Sequence, residues 1–352
     1  MRKRKDIKYV ATICGHFGGN KNFYDGQTVK TQTIATCLKD EFGAKNITCV
    51  DTYGGIKRAP LYISQLIDRF ICSNNIIILP AQNGIKLLAP LLVLINRLFH
   101  KKIHYIVIGG WLPELLDKDI RLSSCLKKFD FIYVETSIMK NRLEDKGFNN
   151  IVLLTNFKDL EILNENELIY EHQEPYSLCT FSRVMEKKGI EDIIVAVDLV
   201  NRKLNRIAYK LDIYGQIDVP YENQFQLLME QNKDFVTYKG VVAPNKSVYI
   251  LREYFFLAFP TKFFTEGIPG TIIDAYAAGV PVVSSKWESF ADLVEDGLSG
   301  IGYSMGNIDE LVSILVKIAK KPELILNMKK YCLQKAKLYT PEIILAILKE
   351  KL

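Results

Sequence analysis

Short, largely apolar runs alternate with longer amphipathic stretches along nearly the whole of this 352-residue chain. The runs are Tyr9–Cys14, Ile47–Val50, Ile76–Leu79, Ile103–Ile108, Phe131–Val134 and Ile151–Leu154. They are continuous in apolar residues rather than alternating, so each asks for cover on both faces. Parallel strands joined by helices meet that demand. The stretch Thr28–Glu41 sets Val29, Ile34 and Leu38, with Phe42 just beyond, on one side of a helix. A polar, acidic segment, Lys158–Pro175, then breaks the pattern and marks a boundary.

A second series follows. Strands are predicted at Tyr176–Ser182, Lys210–Tyr214, Phe235–Tyr238, Tyr254–Phe259 and Pro281–Ser284, and helices at Gly189–Arg202 and Gly270–Ala278. The length exceeds what one ordinary core serves. The expectation is an α/β protein of two Rossmann-like halves with its site in the cleft between them. Residues 1–172 would form the first domain and 173–335 the second. Residues 336–352 would be a carboxyl-terminal helix that packs back on the first.

Composition excludes several classes. Hydrophobic residues make up 48% and charged residues 24%, which argues against disorder, collagen-like repeats and a disulfide-held miniprotein. The seven cysteines form no CxxC pair and there are only four histidines, so no zinc spacing arises. Buried, reduced thiols in a cytosolic protein are expected. No strand is followed by GxGxxG, which disfavours an NAD oxidoreductase.

Charge is uneven. Residues 1–158 carry 24 Lys and Arg against 13 Asp and Glu, a net +11, whereas the remainder carries 22 against 27, a net −5. The basic half would face something anionic, unless the bias only reflects the tail Arg2-Lys3-Arg4-Lys5. Within it, Leu87–Ile95 reads LLAPLLVLI and runs into Arg97, Lys101 and Lys102. Nine apolar residues do not cross a bilayer, which needs ~20. Two readings stand: a buried helix, or one lying in the membrane interface with its basic residues near lipid phosphates. The basic start is followed by a strand-like run and not by a signal-peptide core.

Chemistry concentrates in the second half. Residues 260–283 read PTKFFTEGIPGTIIDAYAAGVPVV. Glu266 precedes Gly267-Ile268-Pro269-Gly270, and a helix carrying Thr271 and Asp274 starts there. A glycine-containing loop that opens a helix offers free N–H groups and the positive end of a helix dipole to a phosphate. Two acids eight residues apart would grip hydroxyls at opposite ends of a nucleotide sugar, or be incidental to a helix start. Residues 181–189, FSRVMEKKG, add Arg183 and Lys188 after a strand. Together these would neutralise a diphosphate without a metal ion, and no Asp-x-Asp stands in this half of the chain to hold one; the chain's Asp117-Lys118-Asp119 lies in the first half.

These residues resemble the retaining glycosyltransferases of family 4 (glycosyltransferase group 1), which have the GT-B fold. Glu266, Asp274 and Ala278-Gly279-Val280-Pro281-Val282-Val283 match one family pattern; Arg183, Lys188 and Gly189 match another. Segments 105–116 and 131–143 resemble capsule and exopolysaccharide glycosyltransferases. The resemblance implies two Rossmann-like domains facing each other across a cleft, the first for acceptor and the second for a UDP- or GDP-sugar. It implies no other cofactor and no metal. Arg183 and Lys188 would hold the donor diphosphate, Glu266 the donor sugar, and Gly267, Ile268, Pro269, Gly270 and Thr271 would offer backbone groups. Asp274 would bind ribose, although the family usually has Glu there. Gly26 would match the family's glycine loop near the donor phosphate.

In the first half His16, Lys30, Trp111 and Glu135 are candidate acceptor contacts. The plainer readings are a structural histidine, a solvated surface lysine, a buried tryptophan and a polar strand end. The implied partners are a donor, a glycan or lipid-linked acceptor and an anionic membrane surface, with no nucleic acid; the implied place is the cytoplasmic side of the membrane. A nucleotide-sugar epimerase, a phosphorylase and an inactive scaffold of the same fold are the alternatives.

Overall fold

The structure is a computed structural model that describes residues 8–19 and 26–352, apart from the side chain of Ile56. The basic tail Arg2–Lys5 and Asp25 lie outside the described residues. The chain divides into two compact units, residues 1–159 with 340–352, and residues 160–339.

The elements of the first series are β1 (Tyr9–Gly15), α1 (Gly26–Phe42), β2 (Ile47–Asp51), α2 (Ala59–Cys72), β3 (Ser73–Leu79) and α3 (Gln82–Phe99). They continue as β4 (Lys102–Ile106), α4 (Leu112–Lys118), α5 (Ile120–Leu126), β5 (Phe131–Val134), α6 (Ser137–Asp145) and β6 (Ile151–Leu153). The six strands form one parallel sheet in the order β2-β1-β3-β4-β5-β6. Its two faces explain the continuous apolar runs. Ile76, Ile78, Ile103, Tyr105 and Ile132 pack with α2, α3, α4, α5 and α6 on one side. Ile13, Ile77, Leu79, Ile106 and Tyr133 pack with α1 on the other.

The second series is β7 (Tyr176–Phe181), α7 (Ile190–Leu204), β8 (Tyr209–Tyr214), α8 (Glu222–Gln231), β9 (Val236–Gly240), α9 (Ser247–Leu251) and β10 (Phe256–Phe259). Then come α10 (Gly270–Ala277), β11 (Val282–Lys286), α11 (Phe290–Leu293), β12 (Gly300–Ser304), α12 (Ile308–Lys320), α13 (Glu323–Leu326) and α14 (Lys329–Ala336). This sheet is also parallel and six-stranded, ordered β12-β11-β10-β7-β8-β9. Both halves are therefore Rossmann-like, as the strand–helix alternation predicts. The last helix, α15 (Pro341–Lys351), belongs to the first unit. Its Ile344 and Leu348 are buried with Ile34 and Leu38 of α1.

The polar stretch after Lys158 packs on the second unit: Leu163 is buried, and its N–H donates to the Ala277 carbonyl at 3.0 Å. All seven cysteines are free thiols. Cys14, Cys179 and Cys332 are buried as expected, but Cys37, Cys49, Cys72 and Cys125 are only half-buried because they sit on strand edges and helix flanks. Burial pushes the Cys14 and Cys332 thiols up to about 12.

Both orders reverse direction at one point. In the second sheet the chain proceeds β7, β8, β9 to one side, then places β10 on the other side of β7. The loops leaving the carboxyl ends of β7 and β10 start from this point, the usual place for a ligand in an open α/β sheet. The corresponding point of the first sheet lies between β1 and β3.

Candidate active site

Two loops build the site of the second unit. The loop after β7 carries Arg183 and a single 3-10 turn, Glu186–Lys188. The loop after β10 carries Thr261 to Pro269 and leads into α10. They are bound to each other. The Lys262 N–H donates to the Lys187 carbonyl at 2.9 Å, and Lys262 Nζ pairs with Asp192 of α7 at 2.7 Å. The approach explains Gly189: its φ is +70°, and a Cβ there would lie 1.8 Å from the Pro260 carbonyl oxygen. Gly215 serves the neighbouring loop likewise, since a Cβ would lie 1.7 Å from the Ser182 carbonyl oxygen.

The close approach sets Lys188 against Glu266, Nζ to Oε2 2.6 Å, with their side chains 16% and 19% exposed. The Thr261 hydroxyl donates to the same Oε2 at 3.1 Å. Lys188 Nζ lies 4.9 Å from the Phe263 ring centre and 5.6 Å from that of Phe259. A cation held between two aromatic faces and a carboxylate is fixed in place while keeping donors for a further anion. Thr261 is fixed in turn: it is buried, and Ser285 Oγ donates to its carbonyl at 2.6 Å.

After Glu266 the chain passes Gly267 and Ile268, both buried, to Pro269, which precedes α10. No side chain caps that helix, so its first N–H groups at Gly270 and Thr271 point where an anion is favoured. The Thr271 hydroxyl oxygen is buried and has no hydrogen-bond partner among the described residues. Asp274 lies one turn further on and is buried. Arg183 is exposed, and its Nη2 donates to Asp218 at 2.7 Å.

The structure therefore joins Lys188 with Glu266 and gives Arg183 a different carboxylate. Asp218 and Thr261 were missed by sequence reasoning, because neither stands in a motif and both act through contacts the fold creates. A hollow of about 470 Å³ bounded by Leu298, Ile301, Ile314, Met328 and Tyr331 lies by the amino end of β12 and includes none of these residues. Among the described residues no group of three or more His, Cys, Asp or Glu side chains is placed to hold a metal ion.

The acceptor candidates of the first unit divide differently. Lys30 is not the solvated lysine of the plain reading: it is buried, and its Nζ meets Glu135 Oε1 at 2.5 Å. Glu135 directly follows β5, and Lys30 lies near the start of α1, the helix that Gly26 opens. His16, at the end of β1, is half-buried and shares a 2.7 Å hydrogen bond between Nδ1 and the Thr28 hydroxyl. Trp111 is half-buried, not fully so; it precedes α4 and donates from Nε1 to the Ile108 carbonyl at 2.8 Å.

Known proteins resemble the chain at three levels. Residues 175–321 match the family model for glycosyl transferases group 1. An uncharacterized glycosyltransferase of Methanocaldococcus jannaschii, MJ1069, is 23% identical over 231 residues, 64% of this chain and 56% of that protein. The amylovoran biosynthesis glycosyltransferase AmsK of Erwinia amylovora is 24% identical over 151 residues, 42% of this chain and 37% of that one. The chain thus spans between about a third and a little over half of these relatives' lengths. The crystal structure of HepE (Alr3699) from Anabaena, in complex with UDP and glucose, superposes with a TM-score of 0.74 over 97% of this chain and 98% of that one, at 14% identity. With the two parallel sheets, these similarities place a glycosyl transferases group 1 domain, residues 175–321, within a chain of GT-B fold.

Proposed function

We propose that this protein transfers a sugar from a nucleotide-sugar donor to a glycan acceptor, with retention of anomeric configuration and without a metal ion. The observation that carries the proposal is the Lys188–Glu266 pair, held by two loops at the switch point of the second sheet beside the uncapped start of α10. Breaking a sugar–phosphate bond builds negative charge on the departing diphosphate. Lys188, Arg183 and the N–H groups of Gly270 and Thr271 meet that charge electrostatically, which lowers the barrier more than it tightens ground-state binding. Glu266 accepts hydrogen bonds from donor-sugar hydroxyls, Gly267 to Pro269 shape the wall beside it, and Asp274 takes the ribose. The departing phosphate oxygen removes the acceptor proton on the same face, so no protein nucleophile is needed.

HepE was crystallised with UDP and glucose, which supports UDP as the first donor base to try. AmsK is named for amylovoran biosynthesis, which supports a role in polysaccharide assembly; the acceptor in this reading is a lipid-linked glycan reached from the cytoplasmic side of the membrane. No described helix is long and apolar enough to cross a membrane.

The test is a screen of UDP- and GDP-sugars with purified protein in EDTA, read by release of the free nucleotide diphosphate. The anomeric configuration of the product is then read by NMR. One donor should be turned over in EDTA. Absence of turnover with every donor would leave an inactive scaffold, activity restored only by Mg²⁺ or Mn²⁺ would remove the metal-free account, and an inverted product would remove retention.

A further inference from the structure

Helix α3 has two faces. Ile85, Leu88, Ala89 and Leu92 are buried in the same core as Leu122 and Leu126 of α5. Lys86, Leu87, Pro90, Leu94, Arg97 and Leu98 are exposed on the other side. At 3.6 residues per turn these six positions share an arc of about 120°. Leu94 is 60% and Leu98 78% exposed. On α5, which packs beside α3, Ile120 is 78% exposed and Arg121 next to it is exposed. Neither helix contains an acidic residue. The nearest acid in sequence, Asp119, caps α5 by accepting from the Leu122 N–H at 2.9 Å.

The apolar run seen in the sequence is thus too apolar for its own core. One face completes the packing of the first unit, and the other leaves leucines in water among basic residues that make no ion pair among the described residues. We propose that this outer face docks the protein on an anionic lipid bilayer. Leu94, Leu98 and Ile120 enter the boundary between headgroups and acyl chains, and Lys86, Arg97 and Arg121 meet lipid phosphates. Charge selects this occupant over a second copy of the chain. A two-fold dimer through the same patch would set the basic residues against their own equivalents. A polyanion would satisfy the charges and leave the three apolar side chains in water. A bilayer satisfies both.

This surface deepens the reading of a membrane-borne acceptor, but it is measured without donor or acceptor, so the two fail separately. The experiment is flotation of the full chain with phosphatidylcholine vesicles, with or without phosphatidylglycerol. The wild-type protein should float with the anionic vesicles and not with the neutral ones. Salt near ~1 M, where the Debye length is ~3 Å, should weaken binding. Replacing Leu94 and Leu98 by Ser should lower the affinity at least ~10-fold, and replacing Lys86, Arg97 and Arg121 by Ser ~10–100-fold. All five side chains are exposed, so both variants should melt with the wild type and keep full transfer to a water-soluble acceptor; Leu98→Ser alone, at the most exposed position, gives a milder version of the same test. Wild-type protein that stays unbound on anionic vesicles at low salt overturns the proposal. So do variants that float as the wild type does, which would give the binding to the basic tail or another surface. A wild-type dimer that Leu98→Ser disperses would assign the face to a second copy instead.

Discussion

Each unit holds a Lys–Glu pair at the carboxyl end of its sheet, and the two pairs differ mainly in water. Lys30 and Glu135 are 3% and 4% exposed, at 2.5 Å. Lys188 and Glu266 are 16% and 19% exposed, at 2.6 Å. Near-identical geometry serves different ends. In the first unit each charge has lost nearly all its hydration, so the partner is what keeps it folded. In the second, water still reaches both partners, and the two phenylalanine rings and Thr261 hold the pair in shape. One pair is expected to carry stability and the other chemistry.

The largest effect should come from breaking the buried pair on one side only. Glu135→Ala leaves the Lys30 ammonium buried without its carboxylate and should cost about 3–5 kcal/mol of stability. Chemical denaturation followed by circular dichroism reads this directly. The double variant Lys30→Met/Glu135→Leu should recover much of the loss, because it removes both charges and keeps the volume. A Glu135→Ala variant that unfolds with the wild type would erase the contrast between the units.

The half-buried Lys188–Glu266 pair should behave in the opposite way. Lys188→Ala and Glu266→Ala should lower turnover by ~10²–10³. Their unfolding should shift by no more than about 1 kcal/mol, since water reaches both partners. Near-normal transfer by either folded variant would remove that residue from the site.

How far the sequence shows this division can be seen in the residues. The alternation of apolar runs and amphipathic stretches was enough for two parallel sheets, because a strand buried on both faces has few other solutions. The segment 260–283 and the Arg183–Gly189 loop stood out in the sequence as candidates for phosphate binding, since a glycine loop before a helix and cations after a strand are local patterns. The partnerships were not legible. Lys188 meets Glu266 across 78 residues and Lys30 meets Glu135 across 105, and both depend on which strands and helices lie side by side. Burial was the least readable quantity. Lys30 looks like any helix-surface lysine in sequence, and only the sheet order reveals that α1 turns it inward. The apolar run in α3 had two readings, core or surface, and the helix uses one face for each.

A third lysine shows what burial costs when no carboxylate partners it among the described residues. Lys329, at the start of α14, is fully buried and its Nζ has no hydrogen-bond partner among the described residues. Burial lowers it from 10.5 to about 8. The unfolded chain therefore binds more protons than the folded one between those values. The penalty is complete below pH 8 and disappears as pH rises through 10.5, so this group makes the fold more stable with rising pH across that window. Lys329→Met should raise stability at pH 7 by about 1–3 kcal/mol and remove the rise. Thermal melts of both proteins from pH 7 to 10.5 decide it, and parallel profiles would mean that the ammonium is solvated.

The smallest effect concerns the exposed pair of Arg183 with Asp218. An accessible pair of this kind contributes about 0–1 kcal/mol to stability, so Asp218→Asn should leave unfolding nearly unchanged. Its consequence lies in donor binding. The proposed diphosphate competes with Asp218 for one guanidinium, and the existing bond must be exchanged before Arg183 can serve the donor. Removing the negative charge while keeping a side chain of similar size lifts that competition. Asp218→Asn should lower the donor KM by up to ~5-fold, the equivalent of about 1 kcal/mol, with kcat little altered. Arg183→Ala should raise the donor KM and lower kcat together, because its charge matters most when the diphosphate departs. A donor KM raised by Asp218→Asn would mean that Asp218 positions Arg183 for the donor, with the bond between them kept through the reaction.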